Sequence, residues 1–216
     1  MKNRRSLIGI IAIVIMIAGA GTFVLMRNQT PKANMALSNG ETVEVTPLDQ
    51  MRVRTAEAEP EINVSDYRLA VDGFVNNKLS LTFDDLLGFE AEERLVNLPC
   101  VEGWNETGLW KGLRLTSVLE RAGVLEGADN VVFSSPGGYT TSLTIKDIEE
   151  TDPLLAYGVN GETLPQDQGF PIRLVVPDRL GYKWIKWVTG IEVISGEYKG
   201  YWESRGYSNQ ADASNR

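Results

Sequence analysis

The sequence predicts a strand-rich α+β domain preceded by one N-terminal transmembrane helix. Three observations lead to this fold class. A long apolar segment lies near the N-terminus, at residues 6–26. Apolar and polar residues alternate along residues 67–72, which is typical of a strand with one buried face. Three short segments carry a Ser or Thr followed three residues later by an acid, a pattern that favours helix starts.

The N-terminal segment is apolar from residue 7 to residue 26 and is preceded by Lys2, Arg4 and Arg5. About 20 apolar residues span a bilayer, and the preceding cations keep the N-terminus in the cytoplasm. We therefore expect a cytoplasmic segment at 1–5, an anchor at 6–26 and the remainder outside. A signal peptide cleaved near residues 18–20 is the alternative. Arg4-Arg5 is either a twin-arginine export signal or a pair of topology charges.

Residues 27–61 are rich in loop formers and have no apolar period, so we expect a flexible tether there. A folded domain follows at 62–200, and residues 201–216 form an aromatic C-terminal tail. Within the domain we expect strands at 67–71, 79–81, 130–133, 172–176 and 185–194. We expect helix starts at Thr82, Ser117 and Thr144, and a helix stop at Gly123. Asn160-Gly161 predicts a hairpin turn.

Composition excludes several classes of function. The chain has 216 residues, a net charge of −8, no histidine and one cysteine. An acidic protein is a poor partner for the phosphates of nucleic acid. Without histidine, a Ser-His-Asp triad and a His-ligated haem are impossible, and one cysteine allows neither an internal disulfide nor a four-cysteine cluster.

Cys100 lies in residues 98–104, Leu-Pro-Cys-Val-Glu-Gly-Trp. A lone cysteine is by default a small buried hydrophobic residue. Pro99 ends any strand before Cys100, and Gly103 loosens the backbone after it. A thiolate in such a loop is a metal ligand or a nucleophile, so both interpretations stay open.

Two cationic patterns suggest an anion site. Arg173 falls within an apolar run that ends at Val176, where it must meet either an anion or an internal carboxylate. Lys183 and Lys186 flank Trp184 and Ile185. Cations beside flat apolar walls suit a ligand with a phosphate and a ring system, whereas an edge strand with exposed lysines is the alternative.

Five segments together resemble the oxidoreductase molybdopterin-binding domain, the fold of sulfite oxidase and of the periplasmic methionine-sulfoxide reductase catalytic subunit. They are residues 98–104, 110–112, 156–165 (AYGVNGETLP), 169–177 (GFPIRLVVP) and 181–187 (GYKWIKW). The resemblance runs from about residue 66 to residue 194. The form Cys-Val-Glu-x-Trp is nearer the methionine-sulfoxide reductase branch.

The resemblance implies a role for each matching residue. Cys100 corresponds to the thiolate that ligates molybdenum and would be the catalytic metal ligand. The other matching residues would bind the molybdopterin, and they are Ser135, Gln168, Arg173, Lys183, Trp184, Ile185 and Lys186. The sulfite-binding arginine that follows the metal ligand in sulfite oxidase is absent, which puts sulfite as substrate in doubt. The N-terminal cofactor-binding segment of the reductase has no evident equivalent.

The expected function is that of a membrane-anchored oxidoreductase with a molybdenum–molybdopterin cofactor. It would transfer an oxygen atom to or from a small substrate and exchange electrons with a membrane or cytochrome partner. The catalytic domain would lie on the extracytoplasmic side of the cell membrane, with no nucleic-acid partner. A cofactor-free binding or scaffold module that retains the fold is the alternative.

A fusion experiment tests the topology. We expect a reporter that is active only in the cytoplasm to stay silent when it is fused after Arg216, because the cations before residue 7 hold the other end inside. Deletion of residues 1–26 is the control and should switch the reporter on. A strong cytoplasmic signal from the membrane-inserted, full-length fusion would contradict the prediction.

Overall fold

In a computed structural model of the protein, residues 30–37 and 39–213 are described. The chain divides into two units, Met1–Pro31 and Lys32–Arg216. The predicted cytoplasmic segment 1–5 and anchor 6–26 lie outside the described residues. In the part of the chain that is described, no helix is both long enough and apolar enough to cross a membrane.

The second unit is strand-rich, as the sequence predicts. Its strands are β1 Ala33–Ala36, β2 Thr42–Val45, β3 Leu69–Gly73, β4 Leu79–Leu81, β5 Ala91–Pro99, β6 Asn105–Arg114, β7 Asn130–Ser134, β8 Thr140–Thr144, β9 Leu154–Val159, β10 Glu162–Thr163, β11 Arg173–Val175 and β12 Gly190–Ile194. Its helices are α1 Phe83–Leu87, α2 Leu115–Ala122 and α3 Ile145–Thr151. Short 3-10 turns occupy Leu48–Gln50, Gln166–Gln168, Gly181–Lys183 and Glu203–Arg205.

Two five-stranded sheets make up most of this unit. One has the order β10-β9-β6-β5, with β11 also paired to β9, and the other has the order β4-β3-β12-β7-β8. All pairings are antiparallel except that of β12 with β3. Side chains from both sheets and the three helices join one buried cluster, including Val71, Leu86, Leu113, Val118 and Ile148.

Two of the three predicted helix starts are confirmed. Thr82 and Thr144 each accept a hydrogen bond from the backbone N–H three residues on, and each forms a complete capping box. The start at Ser117 is wrong, because α2 already begins at Leu115 and buries that residue. Gly123 ends α2 with a φ of 70°, as expected of a left-handed cap.

Backbone geometry explains why glycine or asparagine occupies two positions, the hairpin turn at Asn160-Gly161 and the close approach of two strands at Gly112. Asn160 and Gly161 both have positive φ, 52° and 78°, so the predicted hairpin joins β9 to β10. At Gly112 an added Cβ would lie 2.3 Å from the Leu155 carbonyl oxygen, so only glycine fits where β6 approaches β9.

The last strand is shorter than predicted. It begins at Gly190, because Trp187 has a φ of 52° and leaves the extended conformation.

The predicted tether is wrong for residues 32–61, which lie against the domain. Val45, Thr46 and Met51 are buried. The Thr46 N–H donates to the Thr107 carbonyl oxygen at 2.7 Å, and the Asn160 side chain donates to the Thr46 carbonyl oxygen at 2.9 Å. Both hydrogen bonds join Thr46 to residues far away in the chain, so no local periodicity encodes them.

The C-terminal tail is also part of the fold. Glu203 and Lys183 form an ion pair with Nζ and Oε1 2.6 Å apart, and both side chains are fully buried. The Lys183 ammonium uses its remaining donors on the Ser142 carbonyl oxygen and on Asn209 Oδ1, at 2.8 and 3.2 Å. Thr141 also donates to Glu203 Oε1, at 2.6 Å. The pair therefore ties the tail to the second sheet.

The buried pair predicts a large effect on stability. Lys183→Met leaves the Glu203 carboxylate buried without its counter-charge, so we expect it to lower the free energy of unfolding by about 3–5 kcal/mol in urea. The double variant Lys183→Met/Glu203→Leu should recover most of this loss. Lys32→Met, in an exposed pair with Glu44, is the control and should change stability by less than about 1 kcal/mol. A small effect of Lys183→Met would contradict the assigned pairing.

Candidate functional site

A cavity of about 330 Å³ brings together residues from distant parts of the chain. Its lining combines the segment that follows Met51, the loop after β5, the turn after β11 and the C-terminal tail. The lining residues are Arg52, Arg54, Thr55, Ala56, Glu57, Leu98, Cys100, Val101, Glu102, Trp104, Tyr139, Arg173, Gly181, Tyr182, Trp184, Ile185, Lys186, Trp187, Trp202 and Tyr207. The predicted site residues Cys100, Arg173, Trp184, Ile185 and Lys186 are all among them.

Cys100 lies in a tight turn directly after β5. Its N–H donates to the Trp104 carbonyl oxygen at 2.8 Å, and its own carbonyl oxygen accepts from the Gly103 N–H at 3.0 Å. Gly103 has a φ of 86°, which this turn requires and which glycine adopts without strain. The thiol is half-buried at the cavity wall, and burial raises the pKa of Cys100, as does the nearby Glu102 carboxylate. Cys100 is thus exposed to a ligand in the cavity.

Arg173 is 5% exposed and forms no ion pair with any described carboxylate. Its Nη1 donates to the carbonyl oxygen and to Oε1 of Gln168, at 3.1 and 3.0 Å. The guanidinium lies over the rings of Trp110 and Trp184, 5.2 and 5.9 Å from their centroids. Its Nε is buried without a hydrogen-bond partner. Burial lowers the pKa of Arg173, and the negative charge of Glu106 opposes that shift. An arginine stays protonated in proteins, so a cation without a direct ion-pair partner among the described residues faces the cavity.

Lys186 adds a second buried cation beside Arg173. It is 8% exposed, and its Nζ donates to the Asp167 carbonyl oxygen at 2.6 Å. Burial, followed by the positive charge of Arg173, lowers the pKa of Lys186 to about 7. An added Cβ on Gly169 would lie 3.1 Å from the Cβ atoms of both Arg173 and Lys186, so glycine allows the two side chains to converge. The edge-strand interpretation of this lysine is wrong, because it is buried.

The remaining predicted residues lie behind the cavity wall. Gln168 is buried and holds the Arg173 guanidinium through Oε1. The Ser135 hydroxyl donates to the Glu57 carboxylate at 2.6 Å, and it is Glu57 that lines the cavity. Lys183 does not face the cavity, since its ammonium is consumed by Glu203, Ser142 and Asn209. The ammonium of Lys183 is thus engaged elsewhere, and its predicted role in cofactor binding stays a prediction.

Sequence reasoning missed the contribution of both chain ends. Arg52 and Arg54 lie over the Trp104 ring, 4.9 and 5.9 Å from its centroid, and Arg54 pairs with Glu102 at 3.2 Å. In the sequence, the two arginines within an otherwise loop-like segment are the pattern that could have indicated a contribution to the site. Trp202 and Tyr207 line the cavity from the C-terminal tail. Their aromatic character is visible in the sequence, but the sequence does not show that the tail reaches the cavity.

A cysteine and two buried cations that form no ion pair with a described carboxylate border one cavity of a strand-rich α+β fold, an arrangement that suits an anionic ligand. The chain belongs to the oxidoreductase molybdopterin binding domain family, whose model matches residues 56–202. It is therefore an oxidoreductase of the molybdopterin-binding type. The predicted recognition is confirmed by this match.

Individual relatives agree. The chain is 35% identical over 151 residues to the uncharacterized oxidoreductase YuiH of Bacillus subtilis, covering 69% of this chain and 76% of the relative. It is 33% identical over 148 residues to the putative protein-methionine-sulfoxide reductase subunit YedZ1 of Azospira oryzae, covering 68% and 56%. The crystal structure of the sulfane dehydrogenase SoxCD from Paracoccus pantotrophus matches with a TM-score of 0.62 at 23% identity, covering 76% of this chain and 51% of that one. That likeness concerns the fold alone.

The cavity fits a molybdopterin. Two buried cations, one with an orphaned Nε, would bind a phosphate, and the tryptophan rings provide apolar walls for a ring system. No group of three or more His, Cys, Asp and Glu side chains within residues 30–37 and 39–213 could hold a metal ion. If a molybdenum–molybdopterin group occupies the cavity, Cys100 is the cavity-lining thiol of this chain that would ligate its metal.

The lowered pKa of Lys186 predicts a dependence of stability on pH. The unfolded chain binds this proton up to about pH 10.4, whereas the folded, cofactor-free protein releases it near pH 7. The unfolded state thus binds more protons in that window, and the free energy of unfolding should rise with pH by up to about 1.4 kcal/mol per unit. Lys186→Met should remove this rise in urea unfolding between pH 7 and 9, while exposed Lys146→Met should keep it. Equal slopes of the free energy of unfolding against pH in the wild type, Lys186→Met and Lys146→Met would contradict a lowered pKa of Lys186.

Proposed function

We propose that the protein is a molybdenum–molybdopterin-dependent oxidoreductase that transfers an oxygen atom to or from a small substrate. The observation that carries the proposal is that the only cysteine shares one cavity with two buried cations, neither of which forms an ion pair with a carboxylate of the described residues. Burying a cation costs several kcal/mol unless an anion compensates it, so the site is built for an anionic group. The family match supports the molybdopterin phosphate as that anion.

Each residue has a distinct task in this proposal. Arg173 and Lys186 hold the phosphate, and Gln168 fixes the orientation of the Arg173 guanidinium by accepting from its Nη1. The Cys100 thiol releases its proton when it ligates the metal, because only the thiolate is a strong ligand. Trp184 and Ile185 exclude water from one side of the cavity. The bound cofactor supplies two-electron oxygen-atom transfer.

Location and electron supply complete the proposal. The apolar segment 6–26 anchors the enzyme in the cell membrane, with the catalytic domain on the extracytoplasmic side. One cysteine and no histidine exclude a His-ligated haem and a four-cysteine cluster within this chain. In this proposal, electrons pass to or from a separate membrane or cytochrome partner. The description of the Azospira relative as a subunit supports such a partner.

Metal and cofactor analysis of three variants tests the proposal. In Cys100→Ser, a hard hydroxyl replaces the thiol, so X-ray absorption at the molybdenum edge should count one sulfur fewer than in the wild type, and activity should disappear. In Arg173→Met and Lys186→Met, pterin occupancy should fall about tenfold or more, since a charge-assisted hydrogen bond contributes about 1.5–3 kcal/mol.

The control for Arg173→Met is Arg179→Met, which removes a part-buried arginine that pairs with Asp147 outside the cavity and should keep full occupancy. A wild-type protein purified from cells that make the cofactor, yet free of molybdenum and pterin, would favour a cofactor-free scaffold. Full activity in Cys100→Ser would contradict the proposal that Cys100 ligates the metal.

A further inference from the structure

A groove of about 770 Å³ lies beside the cofactor cavity and shares none of its lining residues. Its apolar lining comes from the β1–β2 hairpin and the segment that follows it, and consists of Met35, Val45, Pro47, Leu48, Met51 and Val53. We call this surface the hairpin groove. Val53 is 38% exposed, so apolar surface in the groove is open to a partner.

The hairpin groove and the cofactor cavity lie back to back. Along residues 51–54, Met51 and Val53 line the groove, whereas the two arginines of the same segment line the cavity. This is the alternation of an extended chain. Gln168 also lines the groove, and its Oε1 accepts from Arg173 Nη1 at 3.0 Å. A single layer of residues therefore separates a partner in the groove from the cavity.

The charge of the hairpin groove is opposite to that of the cavity. Asp49, Glu162 and Asp167 line it, and no lysine or arginine in the described part of the chain does. Asp49 and Glu162 are exposed, and neither forms an ion pair within residues 30–37 and 39–213. Apolar surface flanked by carboxylates complements an apolar segment that carries Lys or Arg. It is a poor match for anionic lipid headgroups, which attract cations.

The hairpin groove is close in the chain to the proposed anchor. Met35, in β1, is nine residues after Met26, where the apolar segment 6–26 ends. A polypeptide spans at most about 3.6 Å per residue, so Met35 stays within about 32 Å of the end of the anchor. A partner embedded in the same membrane is therefore held at a high effective concentration near the groove.

We propose that the hairpin groove docks an integral membrane protein through an apolar, basic extracytoplasmic segment, and that this protein is the electron partner of the enzyme. The inference rests on the proposed function, whose separate partner it locates on the surface. Two electrons and two protons accompany each oxygen atom released as water or taken from it. The partner supplies or removes the electrons, and water exchanges the protons. Because groove and cavity share no lining residue, partner and substrate can be bound together.

Photo-cross-linking of the full-length protein in cells of its own organism tests this surface. The photoreactive residue p-benzoylphenylalanine replaces either Val53, in the groove, or Phe74, which is 42% exposed and lies outside it. We expect the probe at position 53 to give an adduct with an integral membrane protein, and mass spectrometry should place the cross-link in an extracytoplasmic segment that carries Lys or Arg. The probe at position 74 should give no such adduct.

Charge reversal tests the complementarity. Asp49→Lys/Glu162→Lys should lower the yield of the adduct at position 53 by about tenfold, because like charges then face each other across the interface. Glu126→Lys reverses an exposed carboxylate outside the groove and should leave the yield unchanged. Molybdenum and pterin content should stay at the wild-type level in these variants, since none of the three carboxylates lines the cofactor cavity. Glu162→Lys alone repeats the test if the double variant loses the cofactor.

Several results would overturn the proposed docking. They are an adduct with lipid, with a soluble protein, with a second copy of this chain or with its own residues 1–29, equal yields at positions 53 and 74, no adduct at position 53, and a yield that charge reversal does not change. The proposed function fails separately, if the wild-type protein contains neither molybdenum nor pterin. The adduct at position 53 then still decides whether the groove docks a membrane protein.

Discussion

Two neighbouring cations are buried without an ion-pair partner in the described part of the chain, and this is the constraint around which the cavity is organised. Arg173 and Lys186 converge across Gly169, and backbone carbonyl oxygens of Asp167 and Gln168 accept from them. Carbonyl oxygens and tryptophan rings attract cations without cancelling their charge. The positive potential therefore remains available to a ligand, and the protein carries the cost of burial until an anion binds. The depressed pKa of Lys186 expresses that cost directly.

The two lysines of residues 181–187 show how differently the same residue type is used within one short segment. Lys183 is fully buried and meets a carboxylate, so it fastens the tail to the second sheet. Lys186, three residues on, donates to a backbone carbonyl oxygen and borders the cavity. The 3-10 turn ends at Lys183, so Lys186 lies outside it. The same residue type thus forms a structural ion pair at one position and lines the cavity at the other.

The family region and the chain ends divide the cavity between them. Residues 56–202 supply Cys100, Arg173 and the tryptophan wall, whereas Arg52 and Arg54 precede that region and Tyr207 follows it. Both end segments are attached by long-range contacts, at Thr46 with Thr107 and at Glu203 with Lys183. The cavity is therefore completed by segments on both sides of the matched region.

The sequence by itself determined the strand-rich α+β class, the capping boxes at Thr82 and Thr144, the Asn160-Gly161 hairpin and the family, because turns, caps and periodicity are local and the motifs are contiguous. It also identified Cys100, Arg173 and Lys186 as candidates. Only the tertiary structure decided that Lys183 pairs with Glu203, that residues 32–61 lie on the domain and that both ends reach the cavity. Each of these depends on contacts between residues far apart in the chain, and neither a residue type nor its neighbours specify which distant group will compensate a buried charge.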